Sequence, residues 1–233
     1  MRKNRFSNVI LFFILILFAQ CDQESQKKSQ TIRLTALNSM QRAIPGKPVK
    51  GKPVIDIKTA KNEYEAFQVV ISNGQKSHLK NLKIEVSDLE GDSGRISKGN
   101  IKLFLAENIY VRNSSPKADL APGLFPDPLL PFLNPVSGDS IKSYQRIESP
   151  SGRQYTGAKY RAYPINLYPG QFCTIWVDVY IPSAAKAGIY TGNFKVTADE
   201  NVSSVIPITL RVWNFTLPGV ATHRTHLGHF SLI

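Results

Sequence analysis

Apolar and polar side chains alternate along most of this chain, and this period of two limits the possible folds more than any other feature of the sequence. Successive side chains of a β-strand point to opposite faces, so such alternation is typical of strands that bury one face. Turn-forming residues such as Pro169 and Gly170 separate the alternating runs. The clearest runs are residues 62–72, 82–86, 101–105, 171–181, 188–198 and 205–215.

The order of these runs indicates the fold class. No amphipathic helical repeat lies between them, which argues against a helix bundle or a coiled coil. Many short strands separated by turns predict an all-β fold, a two-sheet antiparallel β-sandwich, over residues 32–218. A hydrophobic content of 42% and a charged content of 20% agree with a packed domain. Two cysteines are too few for a disulfide scaffold or a Cys-rich zinc fold.

The charge of the chain says little about its partners. The formal net charge is +12, but the basic residues are dispersed. Nucleic-acid-binding surfaces usually collect Lys and Arg into a patch, often with aromatic residues among them. The sequence therefore predicts a solvated basic surface and no nucleic-acid partner.

A short apolar run near the N-terminus ends close to a cysteine. Arg2, Lys3 and Arg5 precede the run at residues 9–19, and Cys21 follows it. A membrane-spanning helix needs roughly 20 apolar residues, so this run is too short to span comfortably. It has the length of the apolar core of a signal peptide.

This N-terminal pattern resembles a bacterial lipoprotein signal. We therefore expect residues 1–20 to be a signal peptide, Cys21 to carry the lipid anchor, and residues 21–31 to form a tether. The protein would be exported and held at a membrane, on the periplasmic side or at the cell surface. Gln20 is an unusual neighbour for a lipidated cysteine. The alternative is an ordinary secretory signal, or an uncleaved anchor, in which Cys21 is incidental.

Residues 113–157 interrupt the alternation and contain seven of the fifteen prolines. Proline lacks a backbone donor, so this segment is predicted to form a long insertion without a central strand. Its apolar residues indicate that it packs against the domain. Asp127 lies between Pro126 and Pro128, which predicts a rigid loop whose carboxylate could bind sugar hydroxyls.

Three aromatic residues, Phe172, Trp176 and Tyr180, form a stripe on one face of the strand predicted at residues 171–181. Aromatic rings can stack on sugars, so the stripe is a candidate substrate-binding surface. The competing interpretation is core packing, or contact with a following domain. Cys173, on the opposite face, is expected to be a small buried residue and not a nucleophile.

Four segments of the chain carry recognisable motifs. They are NEYEAFQVV at residues 62–70, FPDPLLP at 125–131, WVDVYIP with AGIYTG at 176–192, and PITLRVWNFTLP at 207–218. In this order they resemble motifs of the N-terminal β-sandwich of glycoside hydrolase family 123. The resemblance covers about residues 31 to 218.

The resemblance implies an activity that lies outside the sandwich. Family members are exo-acting β-N-acetylgalactosaminidases that use an adjacent Asp-Glu pair on a (β/α)₈ barrel after the sandwich, with help from the acetamido group of the substrate. Such a barrel needs about 200 or more residues. Residues 219–233 would supply only its beginning, so we expect a truncated chain. No catalytic residue carries over, because the adjacent pair Asp199 and Glu200 is predicted to lie in a hairpin turn.

These observations predict that the chain is a non-catalytic N-terminal domain of a glycosidase-like lipoprotein. Its expected partner is its own missing C-terminal barrel. The alternatives are a carbohydrate-binding cell-surface lipoprotein, with a glycan as partner, and an adhesion module. No cofactor is expected. His223, His226 and His229 would share a helix face suited to zinc, but nearby glycines argue against a helix, so no metal site is predicted.

Overall fold

The computed structural model describes residues 32–113, 115–116, 120–134, 138–139, 146–148, 154–156, 162–198 and 202–220. Within these ranges the chain forms β-strands and one 3₁₀ turn, Lys98–Asn100. The strands are β1 (Ile32–Asn38), β2 (Ile55–Lys61), β3 (Glu63–Asn73), β4 (Lys83–Val86), β5 (Leu89–Gly91), β6 (Gly94–Ile96), β7 (Ile101–Val111), β8 (Gly123–Pro131), β9 (Arg146–Glu148), β10 (Gln154–Thr156), β11 (Phe172–Ile181), β12 (Gly188–Thr197) and β13 (Ser203–Thr216).

Two sheets form the body of the domain. Sheet A has the strand order β1-β3-β11-β7-β8, and all of its pairs are antiparallel. Sheet B has the order β2-β13-β12-β5-β6, with β4 also paired to β12. Strands β9 and β10 form a separate antiparallel pair. The predicted all-β sandwich is confirmed.

The main core lies between the two sheets. The inward side chains of sheet A include Val69 on β3 and Ile175 on β11, and those of sheet B include Phe194 on β12 and Leu210 on β13. All four side chains are completely buried. Their positions follow the alternation of the sequence, because every second residue of a strand faces the same side.

One strand pair departs from the antiparallel pattern. β2 pairs with β13 in parallel, with Ile55 opposite Ile208 and Ile57 opposite Leu210. β2 was not predicted, although apolar residues alternate with Asp56 and Lys58 there in the usual way. A parallel pair needs a long crossover connection, and here almost the whole domain lies between the two strands.

Part of the proline-rich segment is a strand, so the prediction of a loop around Asp127 was wrong. β8 lies at the edge of sheet A, where only one side of the strand needs backbone donors. The register shifts so that Asp127 and Pro128 oppose the single residue Glu107 of β7, which is a β-bulge. Asp127 is therefore an exposed residue of an edge-strand bulge.

Several predicted features lie outside the described residues. They are the signal peptide at residues 1–20, the tether at residues 21–31 with Cys21, the pair Asp199 and Glu200, and the histidines 223, 226 and 229. Among the residues that are described, no helix has the length and apolar character needed to span a membrane.

Candidate functional site

The outer face of sheet A, which points away from the core, carries an aromatic patch. We define the patch as Tyr64, Phe104, Trp176 and Tyr180. Trp176 of β11 lies opposite Phe104 of β7, and Tyr180 lies opposite Tyr64 of β3. The Tyr64 and Tyr180 rings are in contact, with centroids 4.8 Å apart. The patch is part of the surface, because Tyr64 is 59% exposed and the other three are partly buried.

Phe172, the third member of the predicted stripe, does not belong to this patch. Residues 39–50 fold over that end of the sheet, and Phe172 packs there in a small second core with Leu37, Ala43 and Val70. The buried Gln68 holds this cover in place, because its Nε2 donates to the carbonyl oxygens of Asn38 at 2.9 Å and Gln41 at 2.7 Å. The structure thus separates Phe172 from Trp176 and Tyr180.

Two of the three polar groups of the patch, those of Trp176 and Tyr180, are engaged within the protein. The Trp176 Nε1–H donates to Asp178 Oδ1 at 2.6 Å, and the Tyr180 hydroxyl donates to Asn62 Oδ1 at 2.8 Å. A sugar site usually combines an aromatic face with free polar groups that bind hydroxyls. Here the two most suitable donors serve the fold, so the patch offers mainly an apolar contact surface.

Asn62 connects this patch to the place where the chain leaves the sandwich. It occupies the turn between β2 and β3 with φ of 60°, a conformation that asparagine tolerates better than most residues. Its Nδ2 donates to the carbonyl oxygen of Leu217 at 3.0 Å, and the Leu217 N–H donates to the carbonyl oxygen of Lys61 at 2.9 Å. The segment after β13 is therefore held beside Tyr180.

Exposed apolar side chains also lie on this exit segment. Trp213 and Phe215, at the end of β13, stack on each other with centroids 5.8 Å apart and are 43% and 51% exposed. Leu217 and Val220 follow them and are also exposed. These residues were not among the predicted site residues, although the alternation of β13 places Trp213 on the side opposite Val212. We call Trp213, Phe215, Leu217 and Val220 the exit cluster.

The structure does not bring Asp127 to the aromatic patch. On β8, Pro131 is opposite Phe104, and Asp127 lies four residues away along the strand. At about 3.3 Å per residue, Asp127 lies about 13 Å along β8 from Pro131, the residue opposite Phe104. Asp127 is also two strands away from Trp176, because β7 lies between β8 and β11. Asp127 and the aromatic patch therefore do not form one binding site.

Cys173 lies on the core side of β11, opposite Ile71 of β3. The residue keeps some accessible surface, but the protein around its thiol excludes water. This desolvation, with a smaller contribution from the charge of Glu107, raises the pKa of Cys173 to about 12. The thiolate is the reactive form, so Cys173 is an inert packing residue and not a nucleophile.

Two of the described carboxylates, Glu63 and Asp88, have clear structural partners. Glu63 Oε2 accepts hydrogen bonds from the Thr59 hydroxyl and the Ala60 N–H, which closes the turn before β3. Asp88 accepts from the Lys98 N–H and pairs with Arg95 at 3.3 Å. Within the described ranges, no group of three or more His, Cys, Asp or Glu residues is arranged to hold a metal ion.

Comparison with known proteins agrees with this two-sheet architecture. The sequence model of the glycoside hydrolase 123 N-terminal domain matches residues 41–198. A family 123 glycoside hydrolase from Clostridium perfringens, described as hydrolysing glycolipid glycans, superposes with a TM-score of 0.57 at 19% identity. The match covers 81% of this chain but 28% of that enzyme. AvmM, which catalyses macrocyclization in alchivemycin A biosynthesis, gives a TM-score of 0.42 at 11% identity, covering 84% of this chain and 94% of that one. A comparison with curated proteins found no match.

The described part of the chain is a two-sheet β-sandwich domain. Because the family model matches about two thirds of the sequence, the chain belongs to the glycoside hydrolase 123 N-terminal domain family. The resemblance found in the sequence motifs is confirmed.

Proposed function

We propose that this chain is a non-catalytic N-terminal domain of a glycosidase-like, lipid-anchored protein, and that it supports a catalytic domain that follows it. In the relatives that the resemblance identifies, that domain hydrolyses β-N-acetylgalactosaminides. The observation that carries the proposal is the concentration of exposed aromatic side chains around the exit of β13. Soluble domains seldom expose contiguous apolar patches unless the patch contacts a partner.

The geometry of the exit supports a fixed connection and not a loose linker. Two hydrogen bonds hold Leu217: the Asn62 side-chain amide donates to its carbonyl oxygen, and its N–H donates to the carbonyl oxygen of Lys61. Tyr180 of the aromatic patch and Leu217 of the exit cluster both contact Asn62, so these two residues lie at the same end of the sandwich. A domain that follows Val220 would start beside them and could contact both without a long connection.

The absence of turnover is the first expected result. The purified 233-residue chain should release no aryl group from 4-nitrophenyl N-acetyl-β-D-galactosaminide, because the catalytic Asp-Glu pair that the resemblance implies belongs to the barrel and not to the sandwich. A colorimetric assay at high protein concentration measures this, with the family 123 hydrolase from Clostridium perfringens as the positive control. Turnover that follows this chain through purification would contradict the proposal.

The exit cluster should control self-association of the isolated chain. Replacing Trp213 and Phe215 together by serine should shift the protein towards monomer in sedimentation velocity, because it removes the stacked pair from the exposed surface. The fold should survive, since such a pair contributes only about 0.5–1.5 kcal/mol beyond its burial.

The matched control for this experiment is Val205→Ser. Val205 is 48% exposed at the opposite end of β13, away from the exit. The same substitution there should leave association unchanged. A wild-type chain that stays monomeric at all concentrations, or a double variant that associates as strongly as wild type, would count against a contact role for the exit cluster.

A further inference from the structure

A cleft lies along one edge of the sandwich, between β1 at the end of sheet A and β2 at the end of sheet B. Its volume is about 1030 Å³. This size is at the upper end of the range of small-molecule binding sites, about 300–1,000 Å³. The cleft is distinct from the aromatic patch and the exit cluster, and none of their members lines it.

Charged side chains from several segments line this cleft. Four are basic and two are acidic: Lys50, Lys52, Lys58, Arg211, Asp56 and Glu65. The parallel pairing of β2 with β13 places Lys58 beside Arg211, with Asp56 beside Thr209. The wall formed by the segment before β2 supplies the other two lysines. The basic charges therefore come together only in the folded domain.

These charges do not neutralise one another. In the part of the chain that the structure describes, the ion pairs within 4.0 Å join Arg95 to Asp88 and Glu90, and none involves a charged residue of the cleft. All four basic side chains belong to exposed residues, as does Asp56. They are consequently open to a ligand from solvent.

We propose that this cleft binds an acidic oligosaccharide, a chain of sugars that carries sulfate or uronate groups. Arg211 can form paired hydrogen bonds with a sulfate or carboxylate, and the lysines add point charges. Asp56 and Glu65 are acceptors when ionised, and sugar hydroxyls are the donors that they would bind. Ala36 and Ala66 add small apolar surfaces that suit the C–H faces of sugar rings.

The two carboxylates favour a sugar over other polyanions. A nucleic-acid backbone offers phosphate oxygens, which Asp56 and Glu65 would repel. An acidic peptide is also anionic, and its own carboxylates would face the same repulsion. An acidic oligosaccharide meets the same repulsion at its anionic groups, but it can place those groups beside the basic side chains and its neutral hydroxyls beside Asp56 and Glu65. The choice of a sugar ligand rests partly on the proposed glycosidase context, but binding at the cleft does not depend on the exit cluster or on catalysis.

The test measures the affinity of the purified chain for a chondroitin sulfate hexasaccharide by isothermal titration calorimetry at physiological ionic strength. Lys52→Glu with Lys58→Glu should weaken binding by about tenfold or more, which corresponds to about 1.4 kcal/mol. The matched control, Lys83→Glu with Lys102→Glu, changes the net charge equally at exposed positions outside the cleft. It should change the affinity by less than about threefold. Thermal melting curves verify that each variant is folded.

Asp56→Ala separates a sugar site from simple charge attraction. Removing this carboxylate raises the positive charge of the cleft, so an adventitious polyanion would bind more tightly. If the cleft binds a sugar, Asp56→Ala should weaken binding of the hexasaccharide, because contacts to sugar hydroxyls are lost. The control variant Glu85→Ala, on β4, should not weaken it.

Four outcomes would overturn the proposal. The first is that the chain does not bind the hexasaccharide, and the second is that the cleft and control lysine pairs weaken binding equally. The third is that the Asp56→Ala variant binds the hexasaccharide more tightly than wild type. The fourth is that a glutamate-rich peptide binds with the same affinity and is weakened equally by the cleft lysine substitutions. Each can occur while the chain still lacks turnover and the exit cluster still controls association. Failure of this site is therefore distinguishable from failure of the proposed function.

Discussion

Replacing Phe194 by alanine is expected to lower the free energy of unfolding by about 3–5 kcal/mol. Phe194 is completely buried on β12, where it faces sheet A and lies between Ile206 of β13 and Val86 of β4. The truncation leaves a cavity that the surrounding strands cannot close without breaking their register. For a domain of this size, the melting temperature should fall by roughly 6–20 °C.

Ile189→Ala is the matched control for Phe194→Ala. Ile189 lies on the same strand but on the solvent side, and it is 51% exposed. Its truncation should change the free energy of unfolding by less than about 1 kcal/mol, as measured by urea or thermal unfolding monitored by circular dichroism. Similar losses in the two variants would mean that β12 does not bury the face assigned to it.

The contrast between Phe194 and Ile189 also shows what the sequence was able to predict. The alternation in residues 188–198 places these two side chains on opposite faces, and a shift of one residue would exchange them. The same alternation separates the two faces of β3, β11 and β13, as in β13, where Ile206, Ile208, Leu210 and Val212 are buried and Val205, Arg211 and Trp213 are exposed. Such assignments succeed because the period of a strand is a local property that the sequence carries directly.

Features that depend on distant parts of the chain were not predictable in the same way. The parallel pairing of β2 with β13 joins Ile55 to Ile208, and nothing near either residue specifies the partner. The prolines of β8 correctly excluded a central strand, but they did not reveal that an edge position would tolerate them. Whether a segment is a loop or an edge strand depends on which neighbour is available.

The candidate site shows the same limit. Alternation placed Phe172, Trp176 and Tyr180 on one face, and this is where the structure has them. It did not show that residues 39–50 would cover Phe172 and leave the other two at the surface. It also did not show that Asn62 would join Tyr180 to the exit at Leu217, since these contacts span more than a hundred residues.

Replacing Cys21 by serine is expected to abolish lipid attachment completely and to move the protein from the membrane fraction to the soluble fraction. The physical reason is that the other cysteine of the chain, Cys173, is a poor acceptor for an acyl group. The chain has two cysteines, and burial raises the pKa of the other, Cys173, to about 12, which suppresses its thiolate form. Metabolic labelling with an alkyne fatty acid, followed by membrane fractionation, measures both effects.

Cys173→Ser is the control, and it should keep full labelling and full membrane association. Stable anchoring requires more than one acyl chain, because a single chain binds membranes only marginally. The label per protein should therefore exceed one chain. If Cys21→Ser loses the label but stays in the membrane, the apolar run at residues 9–19 is itself an anchor. If the label remains, or is lost in Cys173→Ser instead, Cys21 is not the lipidated residue and the N-terminus is not a lipoprotein signal.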